Sequence, residues 1–240
     1  MSGDGRLGVI AFGDSITNGG GELQWGVALQ SWALWTARAL GLALTSYAVD
    51  GARVADVAGA QLAAARTRSA HPDARYDLGC LHIGVNDVRA LDWHPDAFAA
   101  DLSRVLEYLA ERCDRIVVLT IPLDVGRPRA GAKVDVANLA IEGAAREVGA
   151  TVVDLRGFGG RDVMMADHVH PTALGQVAIA ERVVDTLERE GVRVFARPSG
   201  LVYYETTGLG RLRGDLTYSY RHAKVSARAL GARLRAVRSS

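Results

Sequence analysis

Short apolar runs alternate along the chain with longer amphipathic stretches. The runs have the length of buried strands and cover residues 7–12, 43–49, 78–83, 115–121 and 151–155. The run at 115–121 (RIVVLTI) is the clearest, because β-branched residues dominate it. The pattern therefore predicts five strands, each apolar on both faces, as in a sheet that helices cover on both sides.

Four amphipathic stretches between the strands have the length of helices. They cover residues 24–40, 95–112, 133–148 and 172–189, and the third has apolar residues at 134, 137, 141 and 145. Strands separated by helix-length segments pair in parallel through crossovers. The sequence therefore predicts a doubly wound α/β sheet, whose ligand site lies at the carboxyl ends of the strands.

Composition excludes several classes of protein. The 240 residues are 49% hydrophobic and 23% charged, as in globular proteins and unlike disordered chains. Cys80 and Cys113 allow at most one disulfide, so a disulfide scaffold is excluded. The sequence has no uninterrupted run of about 18 apolar residues, so it predicts no membrane-spanning helix. We see no secretory signal at the N-terminus. We therefore expect a cytoplasmic protein.

The formal net charge of +1 conceals an uneven distribution. Residues 192–240 contain ten Lys or Arg against two acidic residues, so this part carries +8 and the remainder −7. With the turn sequence Pro198-Ser199-Gly200, this asymmetry predicts a main domain over residues 1–197 and a basic C-terminal extension over 198–240.

Residues 223–237 of the extension predict an amphipathic helix, with Ala227, Leu230, Leu234 and Val237 on one stripe. Such a helix docks on the acidic body or on a second copy, lies on an anionic membrane surface, or binds nucleic acid. The opposite charges favour docking on the body or self-association, membrane contact stays open, and we expect no nucleic acid partner.

Polar residues follow the predicted strands where each strand ends. Because the carboxyl ends of parallel strands meet at one edge of the sheet, these residues should converge. They are Gly13-Asp14-Ser15 after the first strand, Asp50-Gly51 after the second, Gly84-Val85-Asn86-Asp87 after the third, and Asp167-His168-Val169-His170 before the last helix.

These residue types fit acyl transfer. Ser15 stands where a strand turns into a helix, and a serine nucleophile needs a base such as His170. Asp167, three residues earlier, is placed to orient the imidazole. The backbone amides of Ser15 and Gly51 and the side-chain amide of Asn86 are donors for a developing oxyanion.

The blocks FGDSIT, Gly51, GVND and DHVHP, in this order, resemble the SGNH (GDSL) hydrolase family over about residues 7–190. The resemblance implies a flavodoxin-like three-layer α/β/α sandwich with a five-stranded parallel sheet, and no cofactor. It implies Ser15 as nucleophile, His170 as general base and acid, and Asp167 as its partner. It also implies an oxyanion hole of Ser15, Gly51 and Asn86, with Asp14 and Asp87 as supports.

The sequence thus predicts serine-dependent hydrolysis of a small-molecule carboxylic ester through an acyl-enzyme, of the esterase, lipase or deacetylase type. An acyltransferase with the same triad and a non-catalytic binding protein on this fold are the alternatives.

Simpler interpretations of the motifs are less favoured. Asp14 and Ser15 are also good helix caps, and Asp167, His168 and His170 resemble metal ligands, but we expect no metal. The glycines at 19–21 lack the pattern of a phosphate-binding loop. Trp25 is placed either to line an acyl pocket or to pack in the core.

Overall fold

A five-stranded parallel sheet forms the centre of the protein. The computed structural model describes residues 7–24, 27–68, 75–202 and 207–238. The strands run in the order β2-β1-β3-β4-β5. They are β1 (Val9–Gly13), β2 (Leu44–Ser46), β3 (Leu78–His82), β4 (Ile116–Leu119) and β5 (Thr151–Val153). Because β2 and β3 flank β1 on opposite sides, the strand order reverses there, and sheets of this kind bind ligands beyond the carboxyl ends of the strands at that point.

Helices cover both faces of the sheet. They are α1 (Ser15–Asn18), α2 (Trp32–Ala39), α3 (Val54–Asp56), α4 (Leu62–Arg68), α5 (Val85–Arg89), α6 (Pro95–Arg112), α7 (Lys133–Val148), α8 (Ala173–Arg189) and α9 (Gly208–Arg238). A π-helical segment, Val57–Gln61, joins α3 to α4, and a 3₁₀ helix, Pro198–Leu201, follows α8. Helices α2 and α8 pack on each other, and α6 packs on α7. The predicted three-layer α/β/α sandwich is confirmed.

The core lies on both sides of the sheet. Strands β1, β3 and β4 are buried along their whole length, as the apolar runs predict. Phe12 in β1 stacks on Tyr47, and Trp32 of α2 is fully buried. Each side chain of this size stabilises the fold by about 1.5–3 kcal/mol when it leaves water. Cys80 and Cys113 are both buried, free thiols.

Most predicted elements are confirmed with shorter bounds, but one helix is wrong in its first half. All five strands exist, and α6 and α7 match their predicted ranges. The helix predicted over residues 24–40 begins only at Trp32, where the Ser31 hydroxyl accepts a hydrogen bond from the Leu34 amide at 3.1 Å. Before it, Gln24 and Val27 form an isolated β-bridge in place of helix, and the Val27 amide donates to the Gln24 carbonyl at 2.9 Å.

The basic extension forms a longer helix than predicted. Helix α9 has 31 residues and begins at Gly208 rather than at 223. It contacts the rest of the chain through Asp215, which pairs with Arg161 at 2.7 Å, and through an ion pair between Arg221 and Glu22. Among the described residues, no helix has both the length and the apolar character needed to cross a membrane.

Candidate active site

Ser15 is presented at the turn between β1 and α1. The Asp14 carboxylate caps α1 by accepting a hydrogen bond from the Ile16 amide at 2.9 Å, so Ser15 becomes the first helical residue. Gly13 has a φ of 150°, and a Cβ there would lie 2.3 Å from the His82 carbonyl oxygen. Only glycine therefore allows this tight exit from the sheet, which places Ser15 beside the unpaired amides of a helix N-terminus.

Ser15, His170 and Asp167 form one hydrogen-bonded chain. The Ser15 Oγ lies 2.9 Å from His170 Nε2, and His170 Nδ1 lies 2.7 Å from Asp167 Oδ2. The other Asp167 oxygen accepts the backbone amides of Val169 and His170 at 2.9 and 3.1 Å. With the imidazole donating from Nδ1 to the carboxylate, Nε2 is left to accept the serine proton.

The same hydrogen bonds set the protonation states of His170 and Asp167. The hydrogen bond with Asp167 raises the pKa of His170 above its ordinary value, against the opposing effect of burial. Burial acts to raise the pKa of Asp167, but the hydrogen bonds from His170 and from the two backbone amides outweigh burial and lower it. Asp167 is therefore ionised at neutral pH, and His170 is a stronger base than a free imidazole.

The loops after β2 and β3 lie beside Ser15 and are joined to each other. The Val49 amide donates to the Gly13 carbonyl at 3.1 Å, which ties the loop after β2 to the end of β1. Gly51 in this loop has a φ of 78° and is exposed. Asn86 Nδ2 donates to the Ala52 carbonyl at 3.0 Å, and no other described residue accepts its second amide hydrogen, which is left for a ligand. Three chain segments with hydrogen-bond donors thus meet at one edge of the sheet.

Asp14 and Asp87 are buried carboxyls that hold backbone. Both oxygens of Asp87 accept the Val54 amide at 3.2 Å, which fixes the start of α3 just after the Gly51 loop. Burial raises the pKa of Asp87 to about 6 and that of Asp14 to about 7. In the described part of the chain, Asp14 Oδ2 has no hydrogen-bond partner.

Two buried glutamines that the sequence analysis missed hold the backbone around Ser15. Gln61, in the π-helical segment, accepts the Gly13 amide at 3.1 Å and donates to the Gly13 carbonyl at 2.8 Å. Gln176 of α8 donates to the carbonyls of Ile16 and Gly20, each at 3.0 Å. Their partners are backbone atoms of distant residues, so no local motif could have identified them.

The remaining candidate residues are His168 and Trp25. His168 adopts a φ of 55°, and its ring contacts Arg127, 2.7 Å from Nδ1, and Asp124, 3.2 Å from Nδ1. The His168 ring is therefore bonded to the loop after β4, whereas Ser15 Oγ contacts His170. Across the ranges that the structure describes, no group of three or more His, Cys, Asp or Glu side chains is arranged to hold a metal ion. Trp25 lies outside the described residues.

The sequence model of the GDSL-like lipase/acylhydrolase family matches residues 11–178. The chain therefore belongs to this family, whose members are ester hydrolases, and the resemblance carried by the four sequence blocks is confirmed.

Solved structures share the fold at low sequence identity. An α/β hydrolase enzyme, LAE5, from the metagenome of Lake Arreo, Spain, is 22% identical, with a TM-score of 0.59 over 76% of this chain and 95% of that one. The acetylxylan esterase Axe2 of Geobacillus stearothermophilus is 20% identical, with a TM-score of 0.58 over 78% and 98% of the two chains. Its catalytic mutant with serine replaced by alanine matches equally well, over 78% and 96%. No curated protein sequence matches the chain.

Proposed function

We propose that this protein hydrolyses carboxylic esters through an acyl-enzyme formed on Ser15. The observation that carries the proposal is the hydrogen-bonded chain from Ser15 Oγ through His170 to Asp167, with distances of 2.9 and 2.7 Å. A serine hydroxyl within reach of an oriented imidazole is the arrangement that activates serine as a nucleophile. Axe2, which shares the fold, has a catalytic serine mutant, in keeping with this assignment.

The first half of the reaction forms the acyl-enzyme. His170 Nε2 accepts the Ser15 hydroxyl proton while Ser15 Oγ bonds to the ester carbonyl carbon. The oxyanion accepts hydrogen bonds from the Ser15 and Gly51 amides and from the free N–H of Asn86. The tetrahedral intermediate then collapses, the bond to the alcohol oxygen breaks, and His170 returns its proton to the leaving alcohol.

The second half releases the acid. Water takes the place of the alcohol, gives a proton to His170 and attacks the acyl carbon. Collapse of the second intermediate frees the carboxylic acid and restores the Ser15 hydroxyl. Asp167 stays ionised throughout and stabilises the imidazolium in both halves, since its pKa is lowered.

The first test compares wild type with Ser15→Ala on p-nitrophenyl esters from acetyl to palmitoyl. We expect the variant to lose at least about 10³-fold in kcat, because no other group replaces the nucleophile. Ser199→Ala is the matched control, since Ser199 is exposed on the 3₁₀ helix, and its activity should equal that of wild type.

A fluorophosphonate probe should label wild type and Ser199→Ala but leave Ser15→Ala unlabelled. Circular dichroism and the Tm show whether each variant is folded. Undiminished ester hydrolysis by folded Ser15→Ala would contradict the proposal.

A further inference from the structure

Helix α9 has one face on the body of the protein and another in solvent. The half-buried residues Asp215, Tyr218, His222 and Val225 recur at intervals of three and four, so they form one face. Asp215 pairs with Arg161 at 2.7 Å, and the His222 ring lies 6.2 Å from the ring of His168. This side of the helix is therefore fixed against the body.

The opposite side of α9 carries an exposed apolar stripe. Leu209, Leu212, Leu216 and Tyr220 are 79%, 55%, 64% and 69% exposed. At about 100° per residue, this stripe is centred roughly 150° from the half-buried face. Several leucines this exposed on one side of a helix indicate a binding surface for another molecule or for a membrane.

The charge of α9 is strongly positive. Its 31 residues contain eight Arg or Lys and one acid, Asp215, which is engaged by Arg161. Arg213, Lys224 and Arg228 are exposed; Arg213 lies beside the stripe, and Lys224 and Arg228 follow on the same side of the helix beyond its end. The stripe is thus bordered by cations with no compensating acid on the helix.

Apolarity and charge together select the occupant of this surface. Pairing of two α9 helices brings two strongly basic surfaces together, which is unfavourable. A nucleic acid satisfies the charge but leaves the leucines in water. An anionic lipid surface satisfies both, since leucines enter the interface while Arg and Lys meet the headgroups.

We propose that α9 docks this protein on anionic lipid bilayers, with Leu209, Leu212, Leu216 and Tyr220 inserted in the interface and Arg213, Lys224 and Arg228 on the headgroups. The body-side contacts orient the molecule. Arg221 pairs with Glu22 in the segment that follows α1, and His222 meets His168, two residues before His170. Docking therefore places α9 between the lipid surface and the loops of Ser15 and His170, about one helix diameter from the lipid.

The test is sedimentation of the full chain with phosphatidylcholine vesicles, with and without about 30% phosphatidylglycerol. We expect binding to the anionic vesicles that weakens in 0.5 M NaCl, and little binding to the neutral ones. Leu212→Gln/Leu216→Gln and Arg213→Glu/Lys224→Glu should each lower the apparent lipid affinity at least about tenfold.

Matched variants change the same residue types elsewhere. Leu139 is 68% exposed on α7, and Arg68 and Arg146 are exposed on the body. Leu139→Gln and Arg68→Glu/Arg146→Glu should bind vesicles like wild type. All variants should keep the wild-type Tm and rate on p-nitrophenyl acetate. Ser15→Ala should also bind normally, which separates this proposal from the proposed function.

Several results would overturn the proposal. These are no binding of wild type to anionic vesicles, equal binding to neutral ones, or full binding by the leucine or charge variant. Light scattering that shows a dimer lost in the leucine variant, without vesicle binding, would assign the stripe to a second copy. Binding to duplex DNA without vesicle binding would assign the basic edge to nucleic acid.

Discussion

At the residue scale, burial gives single carboxyls of this site unusual proton affinities. Asp14 is 1% exposed, and its pKa is raised to about 7 because burial disfavours its charge. The folded protein therefore holds a proton on Asp14 between about pH 4 and 7, where the unfolded chain has released it. Stability from this group is present at low pH and is lost as pH rises through that window.

Asp14→Asn removes this titration and keeps the oxygen that caps α1. The free energy of unfolding of the variant, relative to wild type, should rise by about 3 kcal/mol between pH 4.5 and 8. Urea unfolding at both pH values measures the difference. Asp135→Asn, at an exposed carboxyl of α7, should show little such change. A pH-independent difference for Asp14→Asn would show that Asp14 is ionised in the folded state.

His170 determines how the proposed reaction responds to pH. The base must be neutral, and the Asp167 hydrogen bond raises the pKa of His170. The value of kcat/KM should therefore decrease at acid pH, and the midpoint of that decrease should lie above the ordinary pKa of histidine. Asp167→Asn removes both the charge and the acceptor. We expect kcat to drop on the order of 10⁴-fold and the acid limb to move to lower pH. An unchanged limb, measured on p-nitrophenyl acetate, would exclude His170 as the base.

At the scale of elements, the π-helical segment is a positioning device for Ser15. It places Gln61 beside Gly13, the last residue of β1. The Gln61 side chain accepts a hydrogen bond from the Gly13 amide and donates one to the Gly13 carbonyl. Gln61→Leu has similar volume but leaves a buried donor and a buried acceptor unpaired. The free energy of unfolding should fall by about 2–4 kcal/mol, and kcat should fall more than KM changes.

Gln61→Glu tests the hydrogen bonds of Gln61 separately from the packing of its side chain. Protonated Gln61→Glu can accept the Gly13 amide and donate to the Gly13 carbonyl, whereas the ionised form opposes that carbonyl. Its loss of stability, relative to wild type, should therefore be smaller at pH 5 than at pH 8. Equal losses at both pH values would contradict the assigned hydrogen bonds.

Elements defined by periodicity were predictable, and elements defined by distant contacts were not. The buried strands and helices α6 and α7 follow from apolar spacing alone. The helical residues 54–68 and 85–89 were not predicted. The first range includes the π-helical segment, in which Gln61 bonds Gly13, 48 residues away. The first half of α9 was missed because Gly208, Gly210 and Gly214 lower helix propensity there.

The motif residues of the site show the same division. Ser15, Asp167 and His170 stand in local sequence blocks, so their proximity followed from the parallel sheet. Gln176 has no such block, because it bonds Ile16, 160 residues away in sequence. Local spacing reports the side chains of the candidate site, while the groups that hold its backbone emerge only from the folded chain.

At the scale of the whole molecule, α9 and the rest of the chain have opposite net charges but share little buried core. Residues 208–240 carry a net charge of +7, which leaves −6 on the rest. Among the residues whose burial the structure describes, in contrast, the buried core extends from Val9 to Leu187 and includes none from α9. The attraction between the two parts therefore acts through surface contacts, such as the Arg161–Asp215 pair.

Removal of residues 208–240 should leave a folded, active body. Exposed ion pairs contribute about 0–1 kcal/mol each, and 1 kcal/mol shifts the Tm of a domain this size by about 2–4 °C. We expect one cooperative transition, a Tm within a few degrees of wild type and a similar rate on p-nitrophenyl acetate. Arg161→Ala in the full chain should lower the Tm by no more than the truncation. A broad transition, or loss of Ser15-dependent turnover, would mean that α9 holds the loops of the site in place, since Glu22 and His168 are what it touches there.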